Sequence, residues 1–316
     1  MNTKSWLSLS IRIVITVVAF LWIAHQVDWV TLKQAFLQAD PYGLGIGVAL
    51  FLLAQCLCIV RWRILIPSHP AVTWTFLTRS FFVASFFNTI LPTTVGGDVV
   101  RGYDLIRATG QWRTALASVL MDRLVGWVGF LSVAIIAWCT FKPVREDTTL
   151  QLAFWGFCLL TASALAVLGS RKVFHFMLRP FARVGLGALE SHARQFQESV
   201  LNYVKQPKIL LHALGVTLGV QLCVIFMFAS VSQAFHLTVP IPFFMLIVPV
   251  VITLSQLPIS LNGWGIREAA TIMFLGQVGV SGEKALALSL LVATIPVISA
   301  VVGAVLFLKR KRQKKR

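Results

Sequence analysis

The sequence predicts an all-α integral membrane protein: six full spans plus two re-entrant helical hairpins, arranged as an inverted-repeat bundle. Three observations carry that prediction. The chain of 316 residues is 57% hydrophobic and only 12% charged, with a mean hydropathy of +0.82, far from the composition of a soluble domain of that size. Apolar runs at 7–24, 43–60, 116–139, 150–168, 209–235 and 285–308 come close to or exceed the roughly 20 residues a helix needs to cross hydrocarbon. Two further apolar stretches, 72–91 and 241–257, end at Pro and Gly, which a regular helix does not run through.

The first run has no small-x-small cleavage site after it and reads as a retained span rather than a signal peptide. Arg12, near its start, reads as a snorkelling anchor. In the connection 25–42, Asp40-Pro41 is an N-cap followed by Pro at the first helical position, which opens the second span. Arg61 and Arg63 flank that span as orienting charges. The third span carries Asp122-Arg123 about two turns inside it. At that depth the pair either snorkels or lines a cavity. Segment 170–208 is basic, with Arg171, Lys172, Arg179, Arg183, Arg194, Lys205 and Lys208 against Glu190 and Glu198, and reads as a cytoplasmic amphipathic helix on the membrane surface. In the run 209–235, His212 and Gln221 read as helix–helix hydrogen-bond groups.

The tail KRKRQKKR, 309–316, has seven basic residues in eight. Because it follows directly on an apolar span, it reads as a cytoplasmic anchor to anionic lipid rather than a nucleic-acid arm. Basic segments on the cytoplasmic side then fix the path of the chain. A full crossing at 72–91 would put Arg101, Arg107 and Arg113 outside, against the charge rule. A hairpin over about 72–113 keeps them inside, and one over about 241–278 dips from the opposite face. Both termini are then cytoplasmic.

LPTTVGGDVVRGYDLIRATG from Leu91 aligns with LPISLNGWGIREAATIMFLG from Leu257: the Leu-Pro pairs match, and Gly97 meets Gly263, Arg101 meets Arg267, Gly110 meets Gly276. The expected units are a first repeat, 1–140, and a second, 141–308. Each has three spans and one hairpin, and an odd span count inverts the second copy. Chance matching of common residues is the alternative.

Chemistry is expected at the hairpin turns, because non-helical backbone at membrane depth persists only where it is buried in protein or lines a wet cavity. Asp98 is expected to cap the helix after Gly96-Gly97, with Arg101 on the same face. Asn262, Gly263 and Gly265 break the second hairpin, and Arg267-Glu268 opens its next helix. Two helix N-termini and two guanidinium groups converging on one pocket suit a phosphate. The alternative is a lock, Arg101 with Glu268 and Arg267 with Asp98. The five cysteines read as reduced packing residues. No metal spacing, nucleophile elbow, P-loop or cofactor motif is present, which argues against ATP hydrolysis and an enzymatic role.

The motifs P-x-x-x-G-G-D-x-x-R-x-x-x-L-x-R-x-x-G (92–110), A-L-A-S-V-L-M-D-R-L-V-G (115–126) and L-P-x-S-x-N-G-W-G-I-R-E-A (257–269) together resemble the lysylphosphatidylglycerol synthase transmembrane family, flippase-like membrane domains of bacteria. The resemblance implies a bacterial inner-membrane protein that moves or handles a phospholipid or polyprenyl-phosphate lipid, with Gly96, Gly97, Asp98, Arg101, Asp122, Arg123, Gly265, Arg267 and Glu268 at the family's polar positions. Fused members carry a soluble aminoacyl-transfer domain after the membrane part, whereas this chain stops at its basic tail, so aminoacyl-lipid synthesis is not expected of it. Expected partners are an anionic or phosphate-bearing lipid, the membrane itself and a glycosyltransferase or lipid-modifying enzyme, with no nucleic acid. The rival to a transporter is an accessory subunit that presents a lipid-linked sugar to such an enzyme; a third class is a transferase using Asp98 or Glu268 as base.

Overall fold

In the computed structural model the described residues are 14–91, 95–174, 187–257 and 259–313, apart from 20, 24 and 26. Arg12, Pro92, Arg179, Arg183, Pro258 and the last three residues of the tail lie outside them. Every element among the described residues is a helix. In chain order these are α1 (Val14–Ile23), α2 (Trp29–Leu37), α3 (Pro41–Leu65), α4 (Trp74–Ile90), α5 (Gly96–Thr109), α6 (Trp112–Thr140), α7 (Lys142–Glu146), α8 (Thr148–Gly169), α9 (Gly187–Val204), α10 (Pro207–Ala234), α11 (Ile241–Gln256), α12 (Ile266–Gly276), α13 (Gly282–Thr294) and α14 (Val297–Gln313).

Five of these stretches are long and apolar enough to cross a membrane: α3, α6, α8, α10 and the α13–α14 stretch Gly282–Arg310. They coincide with five of the six runs expected to span. Of the sixth, 7–24, only the C-terminal part falls among the described residues, in α1. The start of α3 follows its sequence signal: the Asp40 carboxylate accepts from the N–H groups of Tyr42 (3.1 Å) and Gly43 (3.0 Å), and Pro41 begins the helix. Both stretches that end at Pro form helical hairpins, α4–α5 and α11–α12.

Helix contacts fall into matching sets. α3 packs along α10, the most extensive pairing in the molecule. A Cβ on Gly43 or Gly47 would already sit 3.1 Å from Ala234 or Val231 of that helix, so small residues set the close approach. α4 packs on α5 and α14, whereas α11 packs on α12 and α6; α5 contacts α6, and α12 contacts α13. The α4–α14 seam is tight. A Cβ on Gly303 would lie 1.9 Å from the Phe82 carbonyl oxygen, and Phe307 meets Phe86 and Phe87 at ring-centroid distances of 6.1 and 5.3 Å. At the end of α14, Arg310 donates to both oxygens of the buried Asp104 of α5, at 2.6 and 2.9 Å. One residue of the expected lipid anchor is therefore turned inward as an internal ion pair.

The largest apolar core gathers Phe130, Phe228, Phe244, Leu246, Phe274 and Leu288 from α6, α10, α11, α12 and α13. α9 lies against α6, α8 and α10. Its Tyr203 hydroxyl donates to the Leu65 carbonyl at the end of α3 (2.6 Å), and burial pushes that phenol's pKa up to about 12.

Candidate functional site

The turn of the first hairpin is built by close approach. A Cβ on Gly97 would stand 2.3 Å from the Ala84 carbonyl oxygen and 2.6 Å from the Asn88 side chain, and one on Gly96 would stand 2.5 Å from Leu91. With no Cβ at 97, the first turn of α5 seats against α4, and the Asn88 carboxamide oxygen accepts from the Gly97 N–H (2.7 Å). The helix start is thus satisfied by a residue of the opposite limb. This corrects the expectation for Asp98. It lies inside the first turn of α5 and makes no cap; both its oxygens are used elsewhere.

Those oxygens open a chain of charges. Asp98 accepts from Arg101 Nη2 (2.6 Å) and from Arg123 Nε. Arg101 Nη1 donates to Asp122 (3.1 Å), whose other oxygen accepts from Arg61 Nε (2.7 Å). Arg61 continues to the Thr217 hydroxyl on α10 (3.4 Å), and Arg123 Nη1 donates to Gln256 Oε1 at the end of α11 (3.0 Å). Cations and anions alternate from α3 through α6 and α5 to the second hairpin. Arg101 also lies over the rings of Trp62 (5.1 Å) and Phe81 (5.5 Å), a placement suited to a planar guanidinium. Asp98, Arg101, Asp122 and Arg61 are all buried, whereas the Arg123 side chain keeps 26% exposure. Buried charge on this scale is stable only when paired and hydrogen-bonded.

The chain of charges lines a cavity of about 450 Å³ whose wall also holds Gln55, Asn88, Gln221, Gln256 and Asn262. Of the residues expected to form a site, Asp98, Arg101, Asp122, Arg123 and Asn262 line it together. Gly96 and Gly97 shape the adjoining turn.

The second hairpin departs from expectation. Arg267 Nη2 pairs with its neighbour Glu268 (2.6 Å) and lies over the Trp264 ring (4.6 Å). Glu268, fully buried, accepts from the Gly265 N–H (2.6 Å) and so closes the start of α12. Gly263, Gly265, Arg267 and Glu268 stand outside the cavity lining. The two arginines do not converge on one pocket, and the cross-pairs Arg101–Glu268 and Arg267–Asp98 do not form among the described residues. The physical reason is proximity: each arginine finds a carboxylate on its own helix. Gly263 and Gly265 (φ 78° and 84°) follow Asn262 (φ 52°) through a left-handed turn, which the absence of a side chain makes accessible.

Sequence reasoning missed Arg61, Asn88 and Gln256. A signal for Arg61 existed: Arg61 and Arg63 sit two positions apart, so a helix points them about 200° from one another. They cannot both reach the same interface. Arg63 takes the helix end, donating to the Ile66 carbonyl, and Arg61 faces the bundle. Among the described residues no group of His, Cys, Asp and Glu is placed to hold a metal ion.

Comparison of the whole chain with curated proteins finds no match. The family model described as the lysylphosphatidylglycerol synthase TM region matches residues 9–303, a stretch that holds every helix of both hairpins and every member of the charge network. The chain therefore belongs to the lysylphosphatidylglycerol synthase transmembrane-region family.

Proposed function

We propose that this protein is a flippase-like transporter that moves a phosphate-headgroup lipid, a phospholipid or a polyprenyl-phosphate-linked one, across a bacterial inner membrane. The observation that carries the reading is the buried arginine–aspartate chain around a cavity of about 450 Å³, tied to both hairpins at once through Arg123. A headgroup phosphate would be taken by guanidinium groups, and the lipid tails would stay in the bilayer. Arg123, the most exposed arginine of the network and the link from Asp98 to Gln256, is the first contact in this reading. An anion that draws it away would loosen the tie between the hairpins.

The membrane topology belongs to the same proposal: six full spans, both termini cytoplasmic, and α4–α5 and α11–α12 re-entrant. Support comes from length. α4 and α5 have 17 and 14 residues, α11 and α12 have 16 and 11. At 1.5 Å per residue all four fall short of the roughly 30 Å hydrocarbon layer. The matching contact sets support an exchange of α3, α4, α5 and α6 with α10, α11, α12 and α13–α14, the pattern of repeats 1–140 and 141–308 related by inversion.

Reconstituted in liposomes with a headgroup-labelled phospholipid, the chain is expected to move label between leaflets, and Arg123→Ala to slow that movement at least tenfold while elution volume and melting temperature show a folded protein. An unchanged rate in folded Arg123→Ala removes this site from the account. The same cavity would also serve an accessory subunit that presents a lipid-linked sugar to a partner glycosyltransferase; movement of label by the purified chain alone separates the two. This reading assigns the chain no catalysis, and formation of a new lipid product by pure protein would overturn that.

A further inference from the structure

We infer that the basic end of α14 is a contact for anionic lipid headgroups, and that a headgroup taking Arg310 hands its partner Asp104 to Arg107, which releases α5 from α14. The inference is independent of what the cavity between the hairpins holds.

The first observation is a tie with little packing behind it. α14 lies along α4, but its contact with α5 is slight. What joins α14 to α5 is the fork of Arg310 on both oxygens of Asp104, at 2.6 and 2.9 Å. A bidentate guanidinium–carboxylate contact is strong and directional. The Asp104 side chain is only 4% exposed, and a carboxylate so buried needs a cation beside it.

The second is a rival cation in place. Arg107 stands three residues after Asp104 on α5, the spacing at which Asp98 and Arg101 do pair on the same helix (2.6 Å). Arg107 is exposed and makes no ion pair among the described residues. Departure of Arg310 therefore leaves Asp104 a second cation within reach, which avoids the penalty of a stranded buried charge. One of its two partners ties α5 to α14, and the other is confined to α5.

The third is a competitor for Arg310. Its side chain keeps 29% exposure, and it stands in the run Lys309-Arg310-Lys311-Arg312 where the apolar stretch Gly282–Arg310 ends. Such a run meets the headgroup layer, where anionic lipids attract Lys and Arg. Tyr103, exposed one residue before Asp104, carries the amphipathic ring favoured in that layer. A headgroup phosphate or carboxylate offers a guanidinium the same fork that Asp104 does. In a neutral membrane Asp104 keeps Arg310; in an anionic one the exchange sets in. α5 also carries Asp98 and Arg101, the latter bonded to α6. Leaflet charge thus bears on the first hairpin, whereas α11–α12 makes no extensive contact with α14.

The test is hydrogen exchange of the full chain, read by mass spectrometry in phosphatidylcholine vesicles with and without phosphatidylserine. Amide exchange in α5 is expected to rise at least fivefold when phosphatidylserine is added, with α11–α12 unchanged, and high salt should suppress the rise. Arg310→Gln should exchange at the fast rate in both membranes. Arg107→Gln should stay slow in both, with a lipid response below twofold. Because Arg107 is exposed, that variant tests the exchange even if Arg310→Gln fails to fold. A purely structural pair gives no response to lipid charge in the unmodified chain, and that result overturns the inference. So does an equal rise in α11–α12, which would mean general softening, or a full response in folded Arg107→Gln.

Discussion

The two hairpins share a sequence signature and use it differently. In α4–α5 the arginine after the glycine turn reaches outside its own helix: Arg101 bonds Asp98 and also Asp122 on α6, and the network runs on to α3 and α10. In α11–α12 the equivalent Arg267 is closed off by the adjacent Glu268 and by Trp264. Packing differs in the same sense. Nine of the 16 residues of α11 are buried, Phe243, Phe244 and Leu246 among them, against four of 17 in α4. The second hairpin is thus a plug fixed in the apolar core, with its charges neutralised locally. The first is held by its apolar seam with α14 and, on its α5 side, by polar contacts that a ligand can compete for. What decides the outcome is where the partner carboxylates sit: a single one, one residue away, in the second hairpin; two in the first, Asp98 on the same helix and Asp122 on α6.

The largest effect expected from this comparison is at Asp122. Asp122→Asn removes the charge shared by two buried guanidinium groups, and breaking a buried pair in this way costs about 3–5 kcal/mol. Denaturation in detergent should register that loss, and translocation of a labelled headgroup should fall with it. Gly97→Ala comes next. Its new Cβ would meet a backbone oxygen, which cannot swing aside, so about 3 kcal/mol is expected, in the upper range for overpacking. Gly96→Ala should cost less, since it meets the flexible tip of Leu91.

For the second hairpin the expected effect is smaller and of another kind. Glu268→Gln weakens charge-assisted bonds to Arg267 and the Gly265 N–H, a loss of about 2 kcal/mol. It lies outside the cavity, so stability should drop while headgroup affinity per folded molecule holds. Should Glu268→Gln depress affinity as deeply as Asp122→Asn, the division between a plug and a ligand-responsive hairpin is wrong.

Much of the fold is legible in the sequence because long apolar runs leave few ways to satisfy a backbone in lipid. Asp40-Pro41 marks the start of α3 as expected, and the i, i+3 spacing of Asp98 and Arg101 becomes a direct ion pair. The site was legible only where its members are close in sequence or share one helix. Asp122 and Arg123 stand out in the sequence as charges at depth, but which partners they find depends on the packing of α6 against α3 and α5. No local pattern encodes that. Asn88 took the capping role expected of Asp98 because Gly97 allows α4 to approach within hydrogen-bond reach, a tertiary event that capping rules based on neighbouring residues do not contain.

The smallest predicted effect also corrects the alignment of the halves. Gly110 and Gly276 match in sequence, but Gly110 ends α5 in the left-handed region (φ 73°), while Gly276 is the last residue of α12 and is not among the glycines with positive φ. The left-handed residue after α12 is Gly279 (φ 77°), three positions later. A side chain is strained in that region by about 1 kcal/mol, whereas a helical glycine with open space around it gains up to about 1 kcal/mol on replacement by alanine. Nothing lies within 4 Å of a Cβ at any of the three, so backbone conformation alone sets the sign. Gly110→Ala and Gly279→Ala should lower the melting temperature by a few degrees, and Gly276→Ala should leave it unchanged or raise it. Equal losses at 110 and 276 would restore the sequence alignment as the structural one. A loss at 110 and 279 alone shifts the register of the second half by three residues at this point, and with it the residue that truly corresponds to each end of the first hairpin.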